Sequence, residues 1–410
     1  MFFKIFMMNQ KEILILIFVI LIISIGGFLI YNEMLISEKP PVSKEETLSD
    51  LTISTPSELE VVAYKKSSFN FSIKNERKDS LKDVNITLDG VSGEVTPNHI
   101  DIASNDLQEF EVKLDGIIPG NYILYLKIQE EPNIDITKTI SLKSQVVVGL
   151  DGYHNHNENP KSAIGNCWRE KFETKICYER LIEENPDYPF VAYISNDCEG
   201  NFCRGRYFPF AKNLENFGMK TEIIESPFSS DMFDKINVLV LLPPYIGRQL
   251  SFTEKDELEK FLNKGGGLLL VEPGYFNCLP AVNPNFKDLI ETLHLNVRLR
   301  IHRNCVRGKE RPTVREIEEF SKWSLEHQIT ASGEAFPYSG FFVLGVKPPM
   351  TSLIELNKGE TIYAIQYYAK GKIGIISSTM QLELRYASTG MLHYNLINWL
   401  AEPEVYEEMG

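Results

Sequence analysis

The sequence predicts a multidomain chain: an N-terminal transmembrane helix, an all-β sandwich, then an α/β domain on a doubly wound parallel sheet. Three observations carry this expectation. They are an uncharged apolar run, a block of short alternating strands, and a switch near Val146 to strands separated by helices. With 410 residues, 43% of them hydrophobic, the chain is long enough for more than one core. Its 42 Lys+Arg stand against 56 Asp+Glu, a formal charge of -14, so it lacks the basic face that phosphate contacts require. Nucleic acid is therefore not an expected partner.

Ile13 to Ile30 is uncharged and dominated by Ile, Leu, Phe and Val. At about 1.5 Å per residue it is roughly as long as a hydrocarbon core is thick. Residues 13–31 are accordingly expected to be a retained membrane anchor, with 1–12 cytoplasmic, because no small-x-small cleavage site follows the run. All six cysteines lie beyond residue 160, and two sequons begin at Asn70 and Asn85. Both features suit an oxidising, glycosylating exterior, so a single-pass cell-membrane protein with its C-terminal domains outside is expected.

Residues 32–56, with the stretch EKPPVSKEETLSDLTISTP, read as a tether. Residues 57–145 then hold short β-type runs at Leu59–Tyr64, Ser68–Ile73, Val84–Leu88, Phe110–Leu114, Tyr122–Ile128 and Ile134–Leu142. Phe69-Asn70-Phe71-Ser72-Ile73 alternates apolar and polar, the pattern of a half-buried strand. The stretch GIIPGNYILYLKI, Gly116 to Ile128, resembles the penultimate hairpin of immunoglobulin-like domains of microbial surface proteins. That resemblance implies a fold and no ligand.

From 146 to 402 the pattern alternates between strands and helices. Val146–Leu150, Thr221–Ile224, Ile236–Leu242, Gly267–Val271 and Lys372–Ile376 read as strands. Phe208–Phe217 reads as a helix stopped by Gly218, and Gly390–Leu400 as a closing helix. Another helix opens at Thr253, with Glu254 and Asp256 in its first turn and Leu258, Phe261 and Leu262 on one face. Residues 403–410 form a tail.

The succession LDGYHNHN, YFPFAKNLENFGMKTEII, INVLVLLPP, SFTEKDELEKFLNKGGGLLLVEPG and GKIGIISS resembles class I glutamine amidotransferase-like domains, most of all their non-catalytic or uncharacterised branches. Active members carry a nucleophilic Cys at the turn after the strand matching Gly267–Val271. This chain has Glu272-Pro273-Gly274-Tyr275 there and no His-x-Glu pair downstream, so the resemblance implies no glutaminase activity.

Residues 155–206 are an insertion carrying Cys167, Cys177, Cys198 and Cys203; Cys278 and Cys305 lie further on. The economical pairing is 167–177, 198–203 and 278–305, but six cysteines allow fifteen connectivities. Zinc on the first four and free thiols remain alternatives, although C-x-x-C knuckles are missing.

Ligands of open parallel sheets bind beyond the carboxyl ends of the strands. The candidates there are Asp151, His154, Tyr245, Glu272, Tyr275 and Ser378, beside Ser377 and His156. A carboxylate, a histidine and a second carboxylate could do acid/base work or hold a metal through Asp151, His154 and His156. The alternative has Asp151 capping a loop and the histidines solvated, and the sequence favours that. No resident cofactor or metal is expected. The expected function is non-catalytic recognition of a glycan, peptide or protein partner. An envelope hydrolase using Glu272 or Asp151 with His154, and a structural subunit of a membrane complex, stand as alternatives.

Overall fold

The computed structural model describes residues 50–130, 134–154, 208–241, 249–271, 284–301, 322–323, 327–330, 342–356, 360–377 and 387–403. The first of its two bodies is a β-sandwich. One sheet has the order β1 (Leu51–Ser54), β3 (Ser67–Asn75), β7 (Leu107–Leu114), β5 (Gly93–Thr96). The facing sheet runs β2 (Glu58–Val62), β9 (Ile134–Gln145), β8 (Gly120–Glu130), β4 (Leu81–Asp89), β6 (His99–Ile102). All pairings are antiparallel except β2 with β9. Alternation decides the inward faces: Phe71 and Ile73 from one sheet and Leu124, Leu126 and Ile128 from the other meet in one core, where Phe71 stacks on Phe110 at 4.9 Å. Leu51–Ser54 lies in the segment read as a tether and pairs with β3.

The second body is a single ten-stranded sheet. Its parallel part has the order β11 (Lys220–Ile224), β10 (Val147–Asp151), β12 (Val238–Leu241), β13 (Gly267–Val271), β19 (Gly371–Ile376). Beyond β19 the direction reverses: β18 (Thr361–Tyr368), β16 (Phe342–Val346) and β14 (Val297–Ile301) continue antiparallel, and β17 (Thr351–Glu355) bridges β18 to β15 (Lys322–Trp323). Five helices are described: α1 (Phe208–Asn216), α2 (Ser230–Phe233), α3 (Phe252–Asn263), α4 (Pro284–Thr292) and α5 (Ala387–Ala401). The apolar residues of α1 and α5 join the core on one face, and those of α2, α3 and α4 the core on the other. The strands between are buried on both sides, which is why GLLLV and VLVL read as unbroken apolar runs.

Two expectations are corrected here. The doubly wound parallel α/β sheet is replaced by a mixed sheet in a structure that is mostly β. Segments 297–301, 342–355 and 361–368 carry antiparallel strands, which need no crossover helices and which the helix–strand alternation elsewhere concealed. The expected transmembrane helix, residues 13–31, lies outside the described residues, and no helix among those described is long and apolar enough to cross a membrane. The single-pass membrane placement and the cell-membrane localisation are therefore set aside.

Helix α5 lies so close on β13 that a Cβ at Gly267 would sit 2.4 Å from the Leu400 carbonyl oxygen. Neither backbone can yield without shifting the helix. Gly267→Ala is expected to cost about 1–3 kcal/mol, read as a lower urea midpoint with an unchanged slope.

The two bodies meet at a shared seam. Asn237, 4% exposed, accepts from Val147 N–H at 2.8 Å and donates to the Ala63 carbonyl at 2.6 Å. Ala63 is part of the core of the mixed sheet, so the turn after β2 is packed as an element of the second body.

Candidate functional site

Strand β10 lies between β11 and β12 in the parallel part, and its last residue, Asp151, ends at the carboxyl rim. The chain turns there, with Gly152 N–H and Tyr153 N–H both donating to the Ile224 carbonyl at the end of β11. This turn carries His154 back over Asp151. Asp151 Oδ1 accepts from the His154 backbone N–H at 3.1 Å and lies 3.0 Å from the imidazole Nδ1.

On the other side of the ring, Nε2 is 3.0 Å from Glu254 Oε1. That contact is an ion pair off the line of a straight hydrogen bond. The side chains of Asp151 and His154 are wholly buried, and that of Glu254 is 8% exposed. Phe228 closes the site edge-on, with its ring 4.6 Å from the imidazole.

Glu254 is delivered by a capping box. Ser251, the N-cap of α3, accepts from Glu254 N–H at 3.3 Å, while Glu254 Oε2 takes the Ser251 N–H at 2.9 Å and its hydroxyl at 2.7 Å. The second oxygen accepts Phe228 N–H at 3.1 Å. One carboxylate thus caps a helix, holds the Phe228 backbone and faces a histidine.

Burial by itself would depress the His154 pKa, but the hydrogen bond and charge of Asp151, then the charge of Glu254, outweigh it and the imidazole is held above its ordinary value. Burial likewise opposes ionisation of Glu254, and the Ser251 and Phe228 donors with the His154 charge more than reverse it, leaving its pKa lowered. The imidazole thus lies between the Asp151 and Glu254 carboxyl groups, a latch tying the turn after β10 to the start of α3.

Of the rim candidates, Asp151 and His154 are brought together and buried. Tyr245, Glu272, Tyr275 and Ser378 lie outside the described residues, as do His156 and all six cysteines. Ser377 is fully buried, its N–H bonded to the Ile362 carbonyl. Asn70 and Asn85 sit at exposed strand positions. Among the described residues no group of three or more His, Cys, Asp or Glu is arranged to hold a metal ion. Sequence reasoning placed Glu254 only as a first-turn acid; the Ser251-Phe252-Thr253-Glu254 spacing was the signal that could have marked it as a reciprocal cap.

No family model and no curated protein matches the chain. Among solved structures it is similar to the mmIFT52 N-terminal domain, at 13% identity and a TM-score of 0.37, over 63% of this chain and 99% of that one. The exo-beta-1,4-mannosidase Op5Man5 from Opitutaceae bacterium strain TAV5 is similar at 12% identity and TM-score 0.34, over 62% of this chain and 35% of that one. A PapD-like domain of human CEP192 is similar at 11% identity and TM-score 0.20, over 23% of this chain and 84% of that one. Likenesses this distant carry no argument about activity. The resemblance to glutamine amidotransferase-like domains is corrected: no family model supports it, and the sheet is mixed where that family implies a doubly wound parallel one.

Proposed function

We propose that this chain recognises a partner without transforming it, with the carboxyl rim of the mixed sheet as the contact surface and the β-sandwich as its carrier. The observation that supports this reading is how the rim side chains are divided. Asp151 and His154, the acid and base that a hydrolase would need here, are wholly buried and engaged with each other. The next residue after the N-cap of the same latched helix, Phe252, is 87% exposed. General acid/base chemistry requires groups within reach of substrate, whereas recognition needs an exposed aromatic held on a rigid element.

The test is to pass the purified protein over an immobilised glycan array and to offer it a panel of nitrophenyl glycosides. Binding to one glycan class, weakened at least tenfold by Phe252→Ser and without release of nitrophenol, is expected. Turnover that disappears on His154→Ala would instead identify a hydrolase. Retention of full binding by Phe252→Ser would move the contact away from this rim.

A further inference from the structure

At the opposite, amino end of the parallel strands, the seam between the two bodies opens into a cleft of about 590 Å³. That size and that position between two bodies are usual for small-molecule sites. The cleft has a charge opposite to that of the chain. Lys65, Lys66, Lys260 and Lys264 line it against Asp234 and Glu257, in a protein of net charge -14. Lys260 is already held by Asp256 at 2.7 Å and Glu257 at 2.8 Å. This leaves Lys65, Lys66 and Lys264 facing Asp234.

Lys65 is the unusual member. It sits in the turn after β2, where Tyr64 has a φ of 60°, and its ammonium reaches across the seam to donate to the Phe233 carbonyl. An ammonium has three N–H donors, so this bond leaves two. Its Nζ lies 5.7 Å from the centre of the Phe261 ring, which stacks on Phe233 with centroids 4.5 Å apart. The cleft therefore combines several cationic heads with an apolar floor, in which Phe233 and Phe261 are only 3% and 4% exposed.

We propose that this cleft binds a small anion, its phosphate or carboxylate head held by Lys65, Lys66 and Lys264 above the buried Phe233–Phe261 pair. Electrostatics around Lys65 support the assignment. Burial, assisted by Lys264 and opposed by Asp234, lowers its pKa to about 8, so the isolated cleft holds that charge at a cost an anionic ligand would remove. Binding is consequently coupled to proton uptake near pH 8 and weakens at higher pH, as Lys65 loses its proton.

The experiment is calorimetric titration of the full chain with phenyl phosphate, inorganic phosphate and benzyl alcohol, at pH 7 and pH 9. The alcohol tests the ring alone and inorganic phosphate the head alone. Phenyl phosphate and inorganic phosphate are both expected to bind and the alcohol not at all, with affinity at least tenfold weaker at pH 9. Repeating the pH 8 titration in two buffers of different ionisation enthalpy is expected to show proton uptake that Lys65→Met abolishes. Because Lys65 also bonds across the seam, the exposed Lys264→Gln supplies a variant that does not disturb folding, and a severalfold loss is expected there. Absence of phenyl phosphate binding at millimolar concentration, or equal affinity in wild type, Lys65→Met and Lys264→Gln, would overturn the proposal.

Discussion

His154→Ala is expected to destabilise the protein by about 3–5 kcal/mol, among the largest effects of any single substitution. Removing one partner of a buried ion pair leaves the other charge uncompensated, and here two carboxylates would face one cavity. Asp151 is wholly buried and Glu254 nearly so, which limits how far solvent can compensate their charges. Urea unfolding measures the loss. Adding Glu254→Gln to His154→Ala is expected to recover part of it, a non-additivity that an independent pair of sites would not show.

The same latch gives stability a characteristic pH dependence. The folded pKa of His154 is raised, so its contribution is fully present below the unfolded value of about 6.5 and is lost as pH rises through the folded value. The folded pKa of Glu254 is lowered, so its contribution is present above the unfolded value of about 4.3 and is lost as pH falls through the folded one. The difference between wild type and the double variant should therefore be greatest between about pH 4.3 and 6.5 and shrink on either side.

Asn237→Ala is expected to cost about 2–5 kcal/mol, because two buried backbone groups, Val147 N–H and the Ala63 carbonyl, lose their partner together. Its consequence differs from that of the latch. Asn237 joins the sandwich turn to the mixed sheet, so scanning calorimetry is expected to show one cooperative transition in wild type and two in the variant. Lys235→Ala, at an exposed neighbouring position, should leave a single transition near the wild-type temperature.

What could be read from the sequence followed the range of the interactions involved. The sandwich strands were legible because each alternates with period two: the run expected at Ser68–Ile73 is Ser67–Asn75, and that at Ile134–Leu142 is Ile134–Gln145. Gly267–Val271 and the glycine stop at Gly218, with its φ of 87°, were equally local signals. The antiparallel half was missed because β16, FVLGV, is an apolar run that does not state its direction. Only its pairing with β14 and β18 does so, and that pairing is non-local.

The candidate site was half legible for the same reason. Asp151 and His154 are three residues apart, and their association could be guessed from a turn. Glu254 lies a hundred residues further on and reaches them only because β12 places the start of α3 at the same rim. Lys65 and Asn237 belong to elements of different bodies, so no local pattern could have paired them with the Phe233 carbonyl or the Ala63 carbonyl. The exposed Phe252 was passed over because the helix was taken to open at Thr253, one residue inside the first turn that Ser251 caps.

The most direct measurement is nitrogen-15 NMR of the His154 imidazole across pH 4 to 9, assigned by comparison with His154→Ala. Slowly exchanging protons on both ring nitrogens at pH 7, with a titration midpoint above 6.5, are expected of an imidazolium buried between Asp151 and Glu254. A midpoint at or below 6.5, with ring protons lost to rapid exchange, would place the imidazole in contact with solvent and contradict a latched, non-catalytic rim.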